Sequence, residues 1–322
     1  MLAIVPLAAL LGRATESVAE KTGDTVGGLL NATLGNLTEL VIAAAALRAG
    51  EYALVKGSIA GAIVTNTLFM LGASFLIGGL THHIQEYNRA TARLDAALLF
   101  LATTALVSPS AIAKADLVPA TALTQKLSIA LAVLLIVGYG LGLLFSLKTH
   151  REIFASAEHA EPSEPAWPIG LALVTLAIVT VLVALVSEIF VESVQKAAET
   201  FGMSQAFVGF IVVALVGGAA EMAVAFSAAR KDRLDLSVGI ALGSASQIAL
   251  FGGPVLVLLS YLIGPPMDLQ FWPGAVVMVF VATLVAAFIT SGGRSAWFVG
   301  ALLLLVYAVF AITLYLWPPS VP

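Results

Sequence analysis

Ten stretches of about 20 or more mostly apolar residues, parted by short polar or Gly/Pro breaks, divide this chain nearly from end to end, and a helix of that length spans a bilayer's hydrocarbon core. They fall at 2–20, 25–49, 53–80, 92–112, 121–147, 168–198, 203–229, 234–263, 270–290 and 295–317. In a lipid core each backbone polar group must be satisfied within its own segment or by a closed barrel, so runs this long predict an all-α polytopic membrane protein. A mean hydropathy of +1.03 with only 11% charged residues leaves no polar surface for a soluble globule. MLAIVPLAALL at the start resembles the apolar core of a signal peptide. No basic residue precedes it and Arg13, Glu16, Glu20 and Lys21 follow at once, so it reads as a short first span.

The chain has no cysteine, which removes disulfide frameworks, thiolate metal sites and haem attachment. Its 15 basic residues are scattered over short loops and form no nucleic-acid footprint. All four histidines, at 82, 83, 150 and 159, fall in breaks. Neither a Ser/His pair nor HExxH can then form at membrane depth, and the chain reads as a non-enzyme without a cofactor. Asn31-Ala-Thr33 and Asn36-Leu-Thr38 match the glycosylation pattern but lie at bilayer depth, where the match is chance.

HREIFASAEHAEPSEPAW, residues 150–167, is the longest hydrophilic run, and its Glu152, Glu158, Glu161 and Glu164 read as a solvated linker. It parts a first five-helix repeat (1–149) from a second (168–322). Thr15-Glu16, Gly35-Asn36…Glu39 and GSIAGAIVTN (57–66) follow one another in the first. Ser187-Glu188, Gly217-Gly218…Glu221 and VGIALGSASQ (238–247) follow in the same order in the second. Five spans is an odd number, so the second copy must be inverted, an arrangement that places a substrate site at the midplane between repeats. Loops after odd-numbered spans carry nine basic residues and those on the opposite side five. The linker is therefore expected in the cytoplasm and both termini outside.

Glu39 is the only acid in the second span and Glu221 the only one in the seventh, 182 positions apart. An ionised carboxylate at the bilayer centre costs roughly 2.5–3.5 kcal/mol on insertion scales, so it persists mainly where it meets a cation or a proton. The alternative is a protonated Glu hydrogen-bonded to a neighbouring helix. Asn36 precedes Glu39 by one turn on the same face. Gly28 and Gly35 keep that face narrow, as Gly217 and Gly218 do before Glu221, allowing close approach or local unwinding. The third span adds Ser58, Thr65 and Asn66, and the eighth adds Ser244, Ser246 and Gln247. Hydroxyls often bond back to their own helix, whereas Asn66 and Gln247 are harder to bury unpaired. Two carboxylates with amide, hydroxyl and backbone oxygens make a hard site suited to Ca²⁺ or a similar divalent ion. Glu39, Glu221, Asn36, Asn66, Thr65, Ser244 and Gln247 are the candidate set.

GLLNATLGNLTELVIAAAALRAG (28–50) with SIAGAIVTNTLFMLGASFLIGGL (58–80), and GGAAEMAVAFSAARKDRLDLSVGIALGSASQIALFGGP (217–254), resemble the two repeat motifs of the cation/proton exchanger branch of the calcium/cation antiporter superfamily. The sodium/calcium branch typically has Gly-Thr-Ser with Pro-Asp or Pro-Glu where GAIVTN and GSASQIALF stand here, which favours proton coupling. The resemblance implies that Glu39 and Glu221 carry both cation and protons, with Asn36, Thr65, Asn66, Ser244 and Gln247 shaping the path. Gly218 stands where the family usually has Asn, Met222 where it has His, and Ala62 where Ser is common. The location implied is a prokaryotic plasma membrane.

One site then serves two cargoes. Two carboxylates facing each other in low dielectric repel, so either protons or one divalent cation must occupy the pair. Only the neutralised site crosses the midplane cheaply, which makes exchange obligatory. The first and sixth spans, with Glu16 and Glu188, are expected to slide as the gate. Sodium-coupled calcium exchange and a passive cation channel using the same acids are the alternatives.

Overall fold

The computed structural model describes residues 3–22, 27, 29–30, 33–114, 120–154 and 167–319. Gly28, Asn31 and linker residues 155–166, all used in the sequence reading, lie outside the described residues. The helices are α1 Ile4–Thr22, α2 Leu37–Arg48, α3 Tyr52–His82, α4 Arg89–Lys114, α5 Ala120–Leu144, the short α6 Arg151–Phe154 and α7 Ile169–Phe201. After them come α8 Gln205–Gly217, α9 Ala219–Arg230, α10 Leu234–Ile263, α11 Pro273–Thr290 and α12 Trp297–Leu316. Two three-residue strands, β1 Ile84–Glu86 and β2 Arg294–Ala296, pair antiparallel.

Among the described residues seven helices are long and apolar enough to cross a membrane: α3, α4, α5, α7, α10, α11 and α12. The pair α8–α9, bent by 58° at Gly218, passes the same test of length and composition when taken together. The expected spans 2–20 and 25–49 are not among them, and the second lies partly outside the described residues. Helix α1 carries Arg13, Glu16, Glu20 and Lys21 in its second half, and α2, of 12 residues, starts only after a turn at Gly35-Asn36. Apolar side chains such as Leu171, Val174, Ile178, Val181 and Leu185 of α7 point outward, as a lipid solvent allows.

Helix α3 lies at the centre. Its Gly57 and Gly61 meet Gly209 and Phe210 of α8 backbone to backbone, so a Cβ at Gly61 would run into the Phe210 main chain. Small residues at crossings are how helices without a hydrophobic driving force approach closely. Helix α12 packs on the C-terminal part of α3, α11 on α4, and α1 on α7. Leu11 of α1 and Val179 and Val183 of α7 form a small core of their own with Leu37 and Val41 of α2, apart from the main one.

Three of the membrane helices contain π turns beside the centre: Thr65–Met70 in α3, Val208–Val213 in α8 and Ile248–Gly252 in α10. The one in α10 has a local cause. Pro254 cannot donate a backbone bond and its ring would strike the carbonyl four residues back, so the preceding turn widens.

The loops are tied to the bundle. At one end, Lys56 Nζ donates to Asp268 Oδ1 (2.5 Å) and to the Gln270 carbonyl (2.8 Å). There Leu269 and Phe271 donate backbone N–H groups to Ser128 and Ser110, at 3.0 and 3.1 Å. At the other, β1 and β2 clasp, and buried Gln85 donates to the Ala229 carbonyl (3.0 Å) and Asp232 (2.8 Å). Asn88 there caps α4 through Ala90 N (2.8 Å) and donates its own N–H to Asp235.

Candidate cation site

Glu39 and Glu221 occupy equivalent positions: each is the third residue of a helix that begins directly after a break. The residues at the breaks have similar backbones, Asn36 at φ −97°, ψ 28° and Gly218 at φ −82°, ψ 7°, a conformation that interrupts the helical ladder. The first N–H groups of a helix lack intrahelical acceptors and carry the positive end of its dipole. Both carboxyl groups therefore sit where local structure favours negative charge.

The breaks bring the two acids together. A Cβ on Gly217, beside the second break, would lie 3.1 Å from Glu39 Cγ and 3.8 Å from Glu39 Oε1, so the Glu39 side chain rests on the α8–α9 elbow. Glu221 lies within electrostatic reach of Glu39 and accepts a 2.5 Å hydrogen bond from Ser244 Oγ of α10. Both acids are partly buried among the helices.

A cavity leads to this point, with Glu39, Asn36, Thr33, Ser58 and Gln247 among otherwise apolar walls that include Phe251 and Leu256. Asn36 is 7% exposed, yet among the described residues neither its amide oxygen nor its nitrogen has a partner. A buried amide left unpaired costs roughly 1–3 kcal/mol, so its oxygen and nitrogen are open to a ligand. Ser58 is turned back to the Val55 carbonyl at 2.9 Å.

The remaining candidates divide. Ser244 touches Glu221 and Gln247 lines the cavity. Asn66 is 2% exposed, and its Oδ1 lies 3.7 Å from where a Cβ would stand on Gly218. Thr65, expected as an oxygen donor, is fully buried and lies 3.2 Å from Tyr307 Oη of α12, away from the cavity lining. Glu188, offered as a gate acid, is exposed and pairs with Arg48 at 3.6 Å. Two residues escaped the sequence reading. Tyr307 is one, lost in a wholly apolar span. The other is Asp95 of α4, the only acid in its span, whose backbone carbonyl accepts from Ser246 Oγ at 3.1 Å. Its isolation in span 92–112 was a signal open to the same argument as Glu39.

Among the described residues no three His, Asp or Glu side chains cluster. Two carboxylates with side-chain amides and a hydroxyl remain, a set of oxygen donors fitted to a hard divalent cation.

The model of the sodium/calcium exchanger protein family matches residues 1–148 and 171–316. A Ca²⁺/H⁺ antiporter of Aphanothece halophytica is 40% identical over 98% of this chain and 89% of its own length. The Ca²⁺/H⁺ antiporter ChaA of Bacillus subtilis is 39% identical over 97% of this chain and 90% of its own. The solved structure of native YfkE superposes with a TM-score of 0.83 at 37% identity, over 97% of this chain and 89% of that one.

Proposed function

We propose that this chain, which belongs to the cation/proton exchangers of the sodium/calcium exchanger protein family, is a secondary antiporter exporting Ca²⁺ or a similar divalent cation in exchange for H⁺. The observation that carries the reading is the meeting of Glu39 and Glu221 at two helix breaks, beside the unpaired amide of Asn36.

The chemistry follows from that geometry. A divalent cation neutralises both carboxylates and draws further oxygens from Asn36, Ser244, Gln247 and Asn66. Protons neutralise the same pair without it. The empty pair is doubly charged in a low-dielectric centre and does not switch sides. Each unit of pH difference supplies about 1.4 kcal/mol per proton, so protons entering down their gradient drive Ca²⁺ outward.

The same reading takes the chain as ten spans in two inverted repeats, 1–149 and 168–322, joined by the 150–167 linker. In its favour, a break, a helix opening with a glutamate at its third position, and a long helix with a π turn beside an amide recur in the same order. The distribution of basic residues favours a cytoplasmic linker with both termini outside. The packing of α1 against α7 favours these two helices as a pair that moves together.

Proteoliposomes loaded at one pH and diluted into another test the reading. Ca²⁺ should accumulate only with a pH gradient, and Glu39→Gln or Glu221→Gln should reduce the rate by about 100-fold or more. Uptake driven by sodium instead would establish sodium coupling. Conduction without any counter-gradient would establish a channel.

A further inference from the structure

We propose that Thr65 and Ser246 are positioning residues: each pins the rotation of its helix through a hydroxyl tie to an outer helix, so that the next residue's amide, Asn66 or Gln247, faces the glutamate pair. The inference rests on the exchanger reading of that pair and deepens it.

The two residues are alike in place and use. Each directly precedes the amide, in Thr65-Asn66 and Ser246-Gln247, and each stands at a π turn, which starts at Thr65 in α3 and two residues after Ser246 in α10. Thr65 Oγ1 lies 3.2 Å from Tyr307 Oη, whose ring packs on Phe69 with centroids 5.3 Å apart. Ser246, 2% exposed, shares its hydroxyl between the Leu242 carbonyl at 2.8 Å and the Asp95 carbonyl at 3.1 Å. Thus α12 holds the hydroxyl beside the first amide and α4 the hydroxyl beside the second.

A π turn inserts a residue and changes the angular phase between the two halves of its helix, so packing of the half beyond it does not settle which side chain faces inward at Asn66 or Gln247, and ties made at the turn itself do. Successive residues on a helix project about 100° apart. With Thr65 held outward against α12, Asn66 is turned toward the elbow at Gly218; with Ser246 held against α4, Gln247 is turned into the cavity. Neither hydroxyl belongs to the cavity lining.

The test is equilibrium binding of ⁴⁵Ca²⁺ to purified protein at fixed pH, beside exchange in proteoliposomes. Tyr307→Phe and Thr65→Val should each weaken Ca²⁺ binding about three- to ten-fold, as loss of one net hydrogen bond does. The double variant should be no weaker than either single, because both remove one interaction. Thr65→Ser should bind like wild type. Ser246→Ala should weaken binding similarly and Ser246→Thr restore it, which keeps the idea open to refutation if the Tyr307 variant misfolds. Normal binding by Tyr307→Phe beside lost binding by Thr65→Val would make Thr65 a direct ligand and overturn the proposal. Unchanged binding in all variants, whatever their thermal stability, would overturn it too. Binding needs no gradient, so a wild type that binds Ca²⁺ but does not exchange it refutes only the antiport reading.

Discussion

Gly217 and Gly218 are neighbours with different duties, and the difference is measurable. A Cβ at 217 would press on Glu39 Cγ at 3.1 Å, whereas one at 218 meets nothing nearer than 3.4 Å. Gly218 also has a negative φ that any residue adopts. Gly217→Ala should therefore displace the Glu39 carboxyl and weaken apparent Ca²⁺ affinity several-fold, roughly 3–10-fold for a misplacement of tenths of an ångström. Gly218→Ala should leave affinity near wild type; both are read from the KM of pH-driven uptake. Ser244→Ala removes the hydroxyl that donates to Glu221. A hydrogen bond to a charged group contributes about 1.5–3 kcal/mol, so Ca²⁺ binding should change by more than ten-fold, with Ser244→Thr closer to wild type.

At the scale of elements, the site depends on where helices fail to continue. Two breaks expose helix N-termini to one point, and the amides around it stand at π turns in α3 and α10. The backbone contact between α3 and α8 holds these features in register. Gly61 has no room for a methyl group against Phe210, and overpacking of this kind costs about 1–3 kcal/mol or more. Gly61→Ala should lower the melting temperature in detergent and reduce the folded yield. The clasp at the β1–β2 end offers an internal control. Arg294 and Glu86 pair at 2.6 Å but both are about 70% exposed at the side chain, and such pairs contribute about 0–1 kcal/mol. Gln85 is 3% exposed and serves two acceptors. Arg294→Ala should leave thermal stability almost unchanged, while Gln85→Ala should lower it clearly.

At the scale of the whole molecule, topology is open to direct labelling because the chain has no cysteine of its own. A cysteine at Lys231 should react with an impermeant maleimide only from the cytoplasmic side, and one at Pro265 only from outside. The reverse pattern would invert the predicted orientation and with it the direction of export. The class of protein was legible from the lengths of its apolar runs, and the two acids from their isolation within them. Less legible was the count of spans: the charged half of α1 and the break before α2 separate these segments from the long apolar helices that composition alone recognises.

Sequence alone determined that the chain lives in lipid, that Glu39 and Glu221 are exceptional, and that oxygen is the only ligand chemistry on offer, because each rests on composition along one segment. Only the tertiary structure decided which way the neighbouring hydroxyls and amides point. A helix apolar on every side has no polar stripe to reveal its rotation, so that rotation is set by partners distant in the chain. Tyr307 stands 242 positions from Thr65 and Asp95 stands 151 from Ser246.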